Sequence, residues 1–211
     1  MLIESRFMRS FITVTVFFLF QSFGYAQEVP DLKREESKLR LISQSFFDDS
    51  TLAADDDFLL RVMKDTSIPV LYKDSLFAAN RTEAVYEFIP ELVAALKTPN
   101  SFNYPFNRLR GVSIQYPQDS SFRIFSWALK DERSVFRHFG AIQMNATELE
   151  LFPLFDFSDT LEPRTQKVLN HKNWYGALYY RILQHEVGEK TYYTLFGFDQ
   201  NDLWSRKKFL D

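Results

Sequence analysis

The sequence predicts an α+β fold, with N-terminal helices packed on an antiparallel β-meander of about six or seven strands. Three observations carry that expectation. Apolar residues recur at helical spacing from about residue 30 to residue 98. From residue 111 onward the period falls to two, and short clusters of Pro, Asn, Asp and Ser separate the apolar runs. The chain holds 23 Phe, 10 Tyr and 3 Trp among its 211 residues and no Cys, so large aromatic side chains, and not disulfides, have to hold the core. A partial β-propeller is the alternative fold, because short aromatic strands also suit blades. The helical first third does not fit it.

Residues 1–26 are set apart as a secretory signal. Arg6 and Arg9 supply a basic start, Phe11 to Phe20 an apolar stretch, and Gly24-Tyr25-Ala26 small residues at the cleavage positions. That stretch is too short to span a hydrocarbon core, which needs about 20 apolar residues, so no transmembrane span is expected after cleavage. The remaining 27–211 form one α+β domain, helical over about 30–98 and sheet over about 111–211. Export to the periplasm or beyond is the expected address, and without Cys there is no lipobox thiol to acylate. A net charge of −3 with no basic block argues against nucleic acid or anionic lipid as partner.

Within the helical part, Leu32, Leu39, Ile42 and Phe46 form one apolar stripe among Lys33, Arg34, Glu35, Glu36, Lys38 and Arg40, which read as a solvated face. Asp48 to Thr51 breaks that helix, and Asp55-Asp56-Asp57 suits the N-terminus of the next, Phe58 to Met63. Three consecutive aspartates lack the alternating ligand spacing and the turn glycine of a calcium loop. Beyond Ser67-Ile68-Pro69, Thr82 precedes a longer pattern through Phe88, Leu92 and Leu96, with Pro90 marking a kink or a new start.

Strands are expected at Gly111–Tyr116, Ser121–Leu129, Val135–Met144 and Leu149–Phe152, the last cut short by Pro153 as an edge strand would be. Phe155 to Lys172 is polar, with one helical turn possible at Arg164 to Leu169. Two aromatic runs, Asn173–Ile182 and Thr191–Asp199, then read as a hairpin buried on both sides, turning at Gly188. Leu203–Asp211 begins another strand and stops without polar fraying, so a chain truncated at its C-terminus is the expectation.

Candidate chemistry is sparse. His138, flanked by Phe136 and Phe139 in a strand, reads as a satisfied core histidine. His185-Glu186 lacks the second histidine and the helix of a zinc protease. His171, Lys172 and Asn173, at a strand mouth beside Trp174, are the candidate binding residues, because sites are commonly built where a loop enters a rigid strand. Asp156, Asp159, Glu162, Asp199 and Asp202 flank the same strand ends. No cofactor and no metal site is expected: the glycine loops that cradle phosphates or dinucleotides are missing.

Asp119–Trp127, Trp174–Tyr180 and Gly197–Asp199 resemble segments of uncharacterised exported bacterial proteins, a family without an assigned activity. The resemblance covers about residues 100–211, implies more sheet beyond the present C-terminus and carries over no catalytic residue. The functional expectation is therefore an envelope protein of non-enzymatic, binding or structural type, meeting another envelope protein or a small apolar ligand through its sheet. The alternative is a hydrolase or isomerase with His171 and nearby carboxylates in a cleft.

Overall fold

The computed structural model describes residues 31–46, 57–133, 135–160, 168–201 and 208–210. The expectations for residues 1–26 and for the break at Asp48–Thr51 lie outside them, as does most of the possible turn at Arg164–Leu169. The architecture is α+β, and the strands divide between two antiparallel sheets. Neither a closed barrel nor a propeller is formed by the described residues, which removes the alternative fold.

Three helices make the first layer. Helix α1 covers 31–44 and buries Leu32, Leu39 and, just past its end, Phe46, which is the stripe read from sequence. Helix α2, Asp57–Lys64, opens on an aspartate at the positive end of its dipole and buries Leu59 and Val62. Helix α3, Val70–Leu96, follows Pro69. It runs through both Thr82 and Pro90, so the expected start at Thr82 is not a helix boundary. The Thr82 hydroxyl instead donates back to the Ala78 carbonyl at 2.9 Å, a bond that mid-helix threonines make in place of capping.

One sheet has the order β1-β2-β3-β4: β1 is Ser113–Gln115, β2 Phe122–Lys130, β3 Phe136–Met144 and β4 Leu151–Leu154. Pro153 sits in β4, an edge strand, where the missing N–H costs no ladder bond. The other sheet is the hairpin of β5, Leu178–Val187, and β6, Lys190–Phe198, with the short β7, Lys208–Leu210, along β6.

Strand β2 is the centre of the molecule, buried on both faces from Phe122 to Leu129. Phe125, Trp127 and Leu129 pack under Val85, Phe88 and Leu92 of α3. The alternate residues Phe122 and Ile124 join Leu154, Trp174, Ala177 and Tyr179 in a second core. The layers are thus helices, four-stranded sheet and hairpin sheet, so the expected single meander is folded over on itself. A strand apolar on both faces is what lies between two layers.

Three polar ties hold the hairpin to the central sheet. The Tyr179 N–H donates to Ser126 Oγ at 3.0 Å and its carbonyl accepts from Ser113 Oγ; those two serines are register partners across β1 and β2. A β-bulge at Tyr180 interrupts the ladder beside this peptide, which is why it looks outside its own sheet for partners. At the β1–β2 turn, the Tyr193 hydroxyl donates to Asp119 Oδ2 at 2.7 Å, and Gln184 Oε1 accepts from Asp119 N at 2.9 Å. Asn201 exchanges two bonds with the Phe136 backbone, at 2.6 and 2.7 Å.

Past the β1–β2 turn, among the described residues, the hairpin leaves Leu183, Val187 and Tyr192 exposed. The expected burial on both sides fails even at its base, where Tyr179 is buried but Tyr180 and Phe198 are exposed on the other face. Glu36 differs in the opposite sense. Read as part of a wet face, it is 1% exposed, because the Tyr104 hydroxyl and the Arg108 N–H each donate to it at 2.7 Å. Burial and then the bond to Glu36 push the Tyr104 hydroxyl up to about 12. Among the described residues, no helix is long and apolar enough to cross a membrane.

Candidate functional site

The four residues singled out in sequence, His171 to Trp174, separate in space. Asn170 to Asn173 close a turn on their own amides: Asn173 Oδ1 accepts from Asn170 N at 2.6 Å and Asn170 Oδ1 from Lys172 N at 2.8 Å. His171 Nδ1 donates to the Pro153 carbonyl at 3.0 Å, its ring edge-on to Phe152. Lys172 is exposed. Trp174 is 5% exposed and points into the second core, where its Nε1–H donates to the Tyr179 hydroxyl at 2.7 Å. Burial lifts that hydroxyl to about 12 even against the Trp174 bond.

The imidazole that meets carboxylates is His138. Its Nδ1 lies 3.4 Å from Asp156 Oδ2, its Nε2 2.8 Å from Gln200 Oε1 and 3.9 Å from Asp199 Oδ1. Asp156 also accepts the backbone N–H groups of His138 and Ser158, each at 2.9 Å. Burial works to raise the Asp156 carboxyl, but the bonds from His138 and Ser158 outweigh it and hold the group at about 2. Behind Asp156 sits Gly176 at φ +77°, where a Cβ would come within 2.6 Å of Oδ1. The His138 side chain has no exposed surface, so the cluster joins β3, the β4–β5 connection and the end of β6 without opening to a substrate.

A second buried polar group lies on the helical face of β2. Arg123 has 0% exposure and no carboxylate partner among the described ion pairs. Its fork is filled by neutral acceptors: Nε donates to Gln143 Oε1 at 2.8 Å, one terminal nitrogen to the Tyr104 carbonyl and the Tyr116 hydroxyl, and the other to the Ser101 carbonyl at 2.9 Å. The rings of Phe102, Phe106, Tyr116 and Phe125 surround the guanidinium at 4.7–5.9 Å from their centroids. Burial lowers the pKa of the group, yet its ordinary value is so high that it stays charged.

That network ends at an open cleft of about 710 Å³. One wall is the chain from the end of α3 through the short 3-10 turn Ser101–Asn103; the other is the β3–β4 turn. The floor carries Gln143, whose Nε2 donates to Ser101 Oγ at 3.2 Å, and Ser101, whose hydroxyl donates to the Leu96 carbonyl at 2.7 Å. Above it stand Asn100, Asn103, Asn145 and Thr147, with Lys97 on one wall and Glu148 on the other. The volume falls within the roughly 300–1,000 Å³ of small-molecule sites.

Sequence reading passed over this cleft because Thr98-Pro99-Asn100 and Asn145-Ala146-Thr147 have the composition of ordinary turns. The one available signal is Arg123, a charge inside an otherwise apolar strand. Among the described residues, no group of three or more His, Asp or Glu side chains is placed to hold a metal ion. Compared with protein-family models, curated proteins and solved structures, the chain matches none.

Proposed function

We propose that the protein is an exported, non-catalytic binding module whose ligand enters the cleft between the end of α3 and the β3–β4 turn. The observation that carries this reading is the contrast between the two polar constellations. The acid-flanked imidazole of His138 is wholly buried and its hydrogen bonds are used in holding strands together. The open cleft carries amides, hydroxyls and one pair of unlike charges, with no imidazole and no pair of carboxylates. Lys97 and Glu148 are a single pair of unlike charges on facing walls, without the carboxylate pair or the base-activated nucleophile of a catalytic centre, which supports a site that binds.

The cleft's polar lining favours a polar ligand over the apolar one expected from the aromatic strands. A hydrolase or isomerase built on His171 draws no support from its surroundings, since that imidazole is engaged by the Pro153 carbonyl. Export rests on the basic, apolar and small-residue sequence of residues 1–26. It is tested by expressing the full chain in a bacterium and sequencing the N-terminus of the fractionated protein. A start at Gln27 in the periplasm or medium supports export, and a cytosolic protein that keeps Met1 refutes it. Binding is tested by NMR titration of the labelled protein with a fragment library. Shifts gathered on 97–103 and 143–149 support it; shifts scattered elsewhere, or none, overturn it.

A further inference from the structure

We infer that the cleft takes a neutral, hydroxyl-rich ligand, a short saccharide being the chemical class that fits. The inference rests on the binding reading above and asks what the lining recognises. Asn, Gln, Thr and Ser each offer both donors and acceptors, and a sugar hydroxyl needs both at once. Asn103 and Thr147 stand on opposite walls and are exposed, with no bond recorded to either side chain among the described residues. Gln143 and Ser101 are held in place from behind by Arg123, so the floor is pre-organised and loses little freedom on binding.

Other classes fit less well. Lys97 and Glu148 oppose one another across the opening and leave the lining without net charge, so neither an organic anion nor a cation is singled out. The positive charge of Arg123 is absorbed by four acceptors and four rings. An extended peptide usually adds to a free strand edge, but β3 is paired on both sides here. Several backbone N–H groups of the turns are committed: Met144 N to Glu150 O, Asn145 N to Ser121 O and Asn103 N to Asn100 O. Recognition therefore falls largely to side chains. No aromatic ring lies open in the cleft to stack on a sugar face; Phe102 is 8% exposed and edge-on to Tyr116. Without a stacking anchor the affinity is expected to be weak, about 1 mM or roughly −4 kcal/mol.

The experiment is an NMR titration of the ¹⁵N-labelled full chain with cellobiose, maltose and diacetylchitobiose, run beside succinate and a tetraserine peptide. The expected result is a saturable shift of the Asn103, Asn145 and Thr147 side-chain or backbone signals by at least one disaccharide. Asn103→Ala and Thr147→Ala, both at exposed positions, are expected to weaken it about tenfold together, with an unchanged far-UV spectrum. If succinate or tetraserine shifts those signals and the disaccharides do not, the ligand class is refuted and the binding reading stands. If none of the probes shifts them, both fall.

Discussion

His138 and Asp156 meet twice: Asp156 Oδ2 accepts the His138 backbone N–H at 2.9 Å and lies 3.4 Å from the Nδ1 of the same residue. One carboxylate thus holds the strand by a hydrogen bond and stands beside the ring of the same residue, whose Nδ1 makes no hydrogen bond.

The Asp156 carboxyl titrates at about 2 in the folded protein against an ordinary 3.8. A folded value below the unfolded one means that the group stabilises above 3.8 and ceases to as pH falls through 2. The shift corresponds to about 2 kcal/mol. Asp156→Asn should therefore be less stable than the parent at pH 7 in urea unfolding, and the two should converge near pH 2. A constant difference across that range would show that the carboxylate charge is not what matters.

Trp174 fills the second core and keeps its polar atom satisfied through Tyr179. Trp174→Ala should cost about 3–5 kcal/mol. Tyr179→Phe, which keeps the ring but strands a buried indole N–H, should cost about 1–3 kcal/mol. Chemical denaturation measures both. A change within error for Trp174→Ala would place that ring at the surface.

Ser113 and Ser126 hold the two ends of one residue of β5. Removing either hydroxyl leaves a backbone group of Tyr179 unpaired, at about 1–2 kcal/mol each. Once one is gone the peptide can move, so the double variant should fall short of the sum by at least about 0.5 kcal/mol. Strict additivity in a double-mutant cycle would mean that the serines act independently.

Gly176 and Gly188 both have positive φ, at +77° and +64°, but only Gly176 is crowded. Gly188→Ala should cost about 1 kcal/mol, the strain of a left-handed alanine alone. Gly176→Ala adds the collision with Asp156 and should cost about 3 kcal/mol or more. Equal losses in thermal unfolding would remove the role given to Asp156 in shaping that turn.

Local order was legible in the chain and long-range order was not. The first helix declared itself through Leu32, Leu39 and Phe46, and the four strands of the central sheet through alternation and Pro or Asn turns. His138 read as a satisfied histidine in a strand; it is buried in β3, but of its two ring nitrogens only Nε2 is hydrogen-bonded. Its acceptors were hidden, because Asp156 and Gln200 lie far along the chain. Glu36 was misread for the same reason: Tyr104 and Arg108 are 68 and 72 residues away. Periodicity reports which face a residue takes, and it is silent on what another layer brings to that face. The cleft is a product of such layering, formed where two unremarkable turns come together.

The surroundings of Arg123 reach the first helix through Tyr104. The sequence invites a cut near residue 98, with helices on one side and strands on the other. Yet this guanidinium, rooted in β2, is solvated by carbonyls of Ser101 and Tyr104 from the connecting segment, and Tyr104 in turn binds Glu36 of the first helix. Every acceptor and ring around the guanidinium lies on the strand side of that cut, so what crosses it is the Glu36 carboxylate on Tyr104 and Arg108 and the packing of Val85, Phe88 and Leu92 on β2; losing either segment uncovers the other. The helical and sheet segments are therefore expected to unfold together in one transition, and neither is expected to fold when expressed alone.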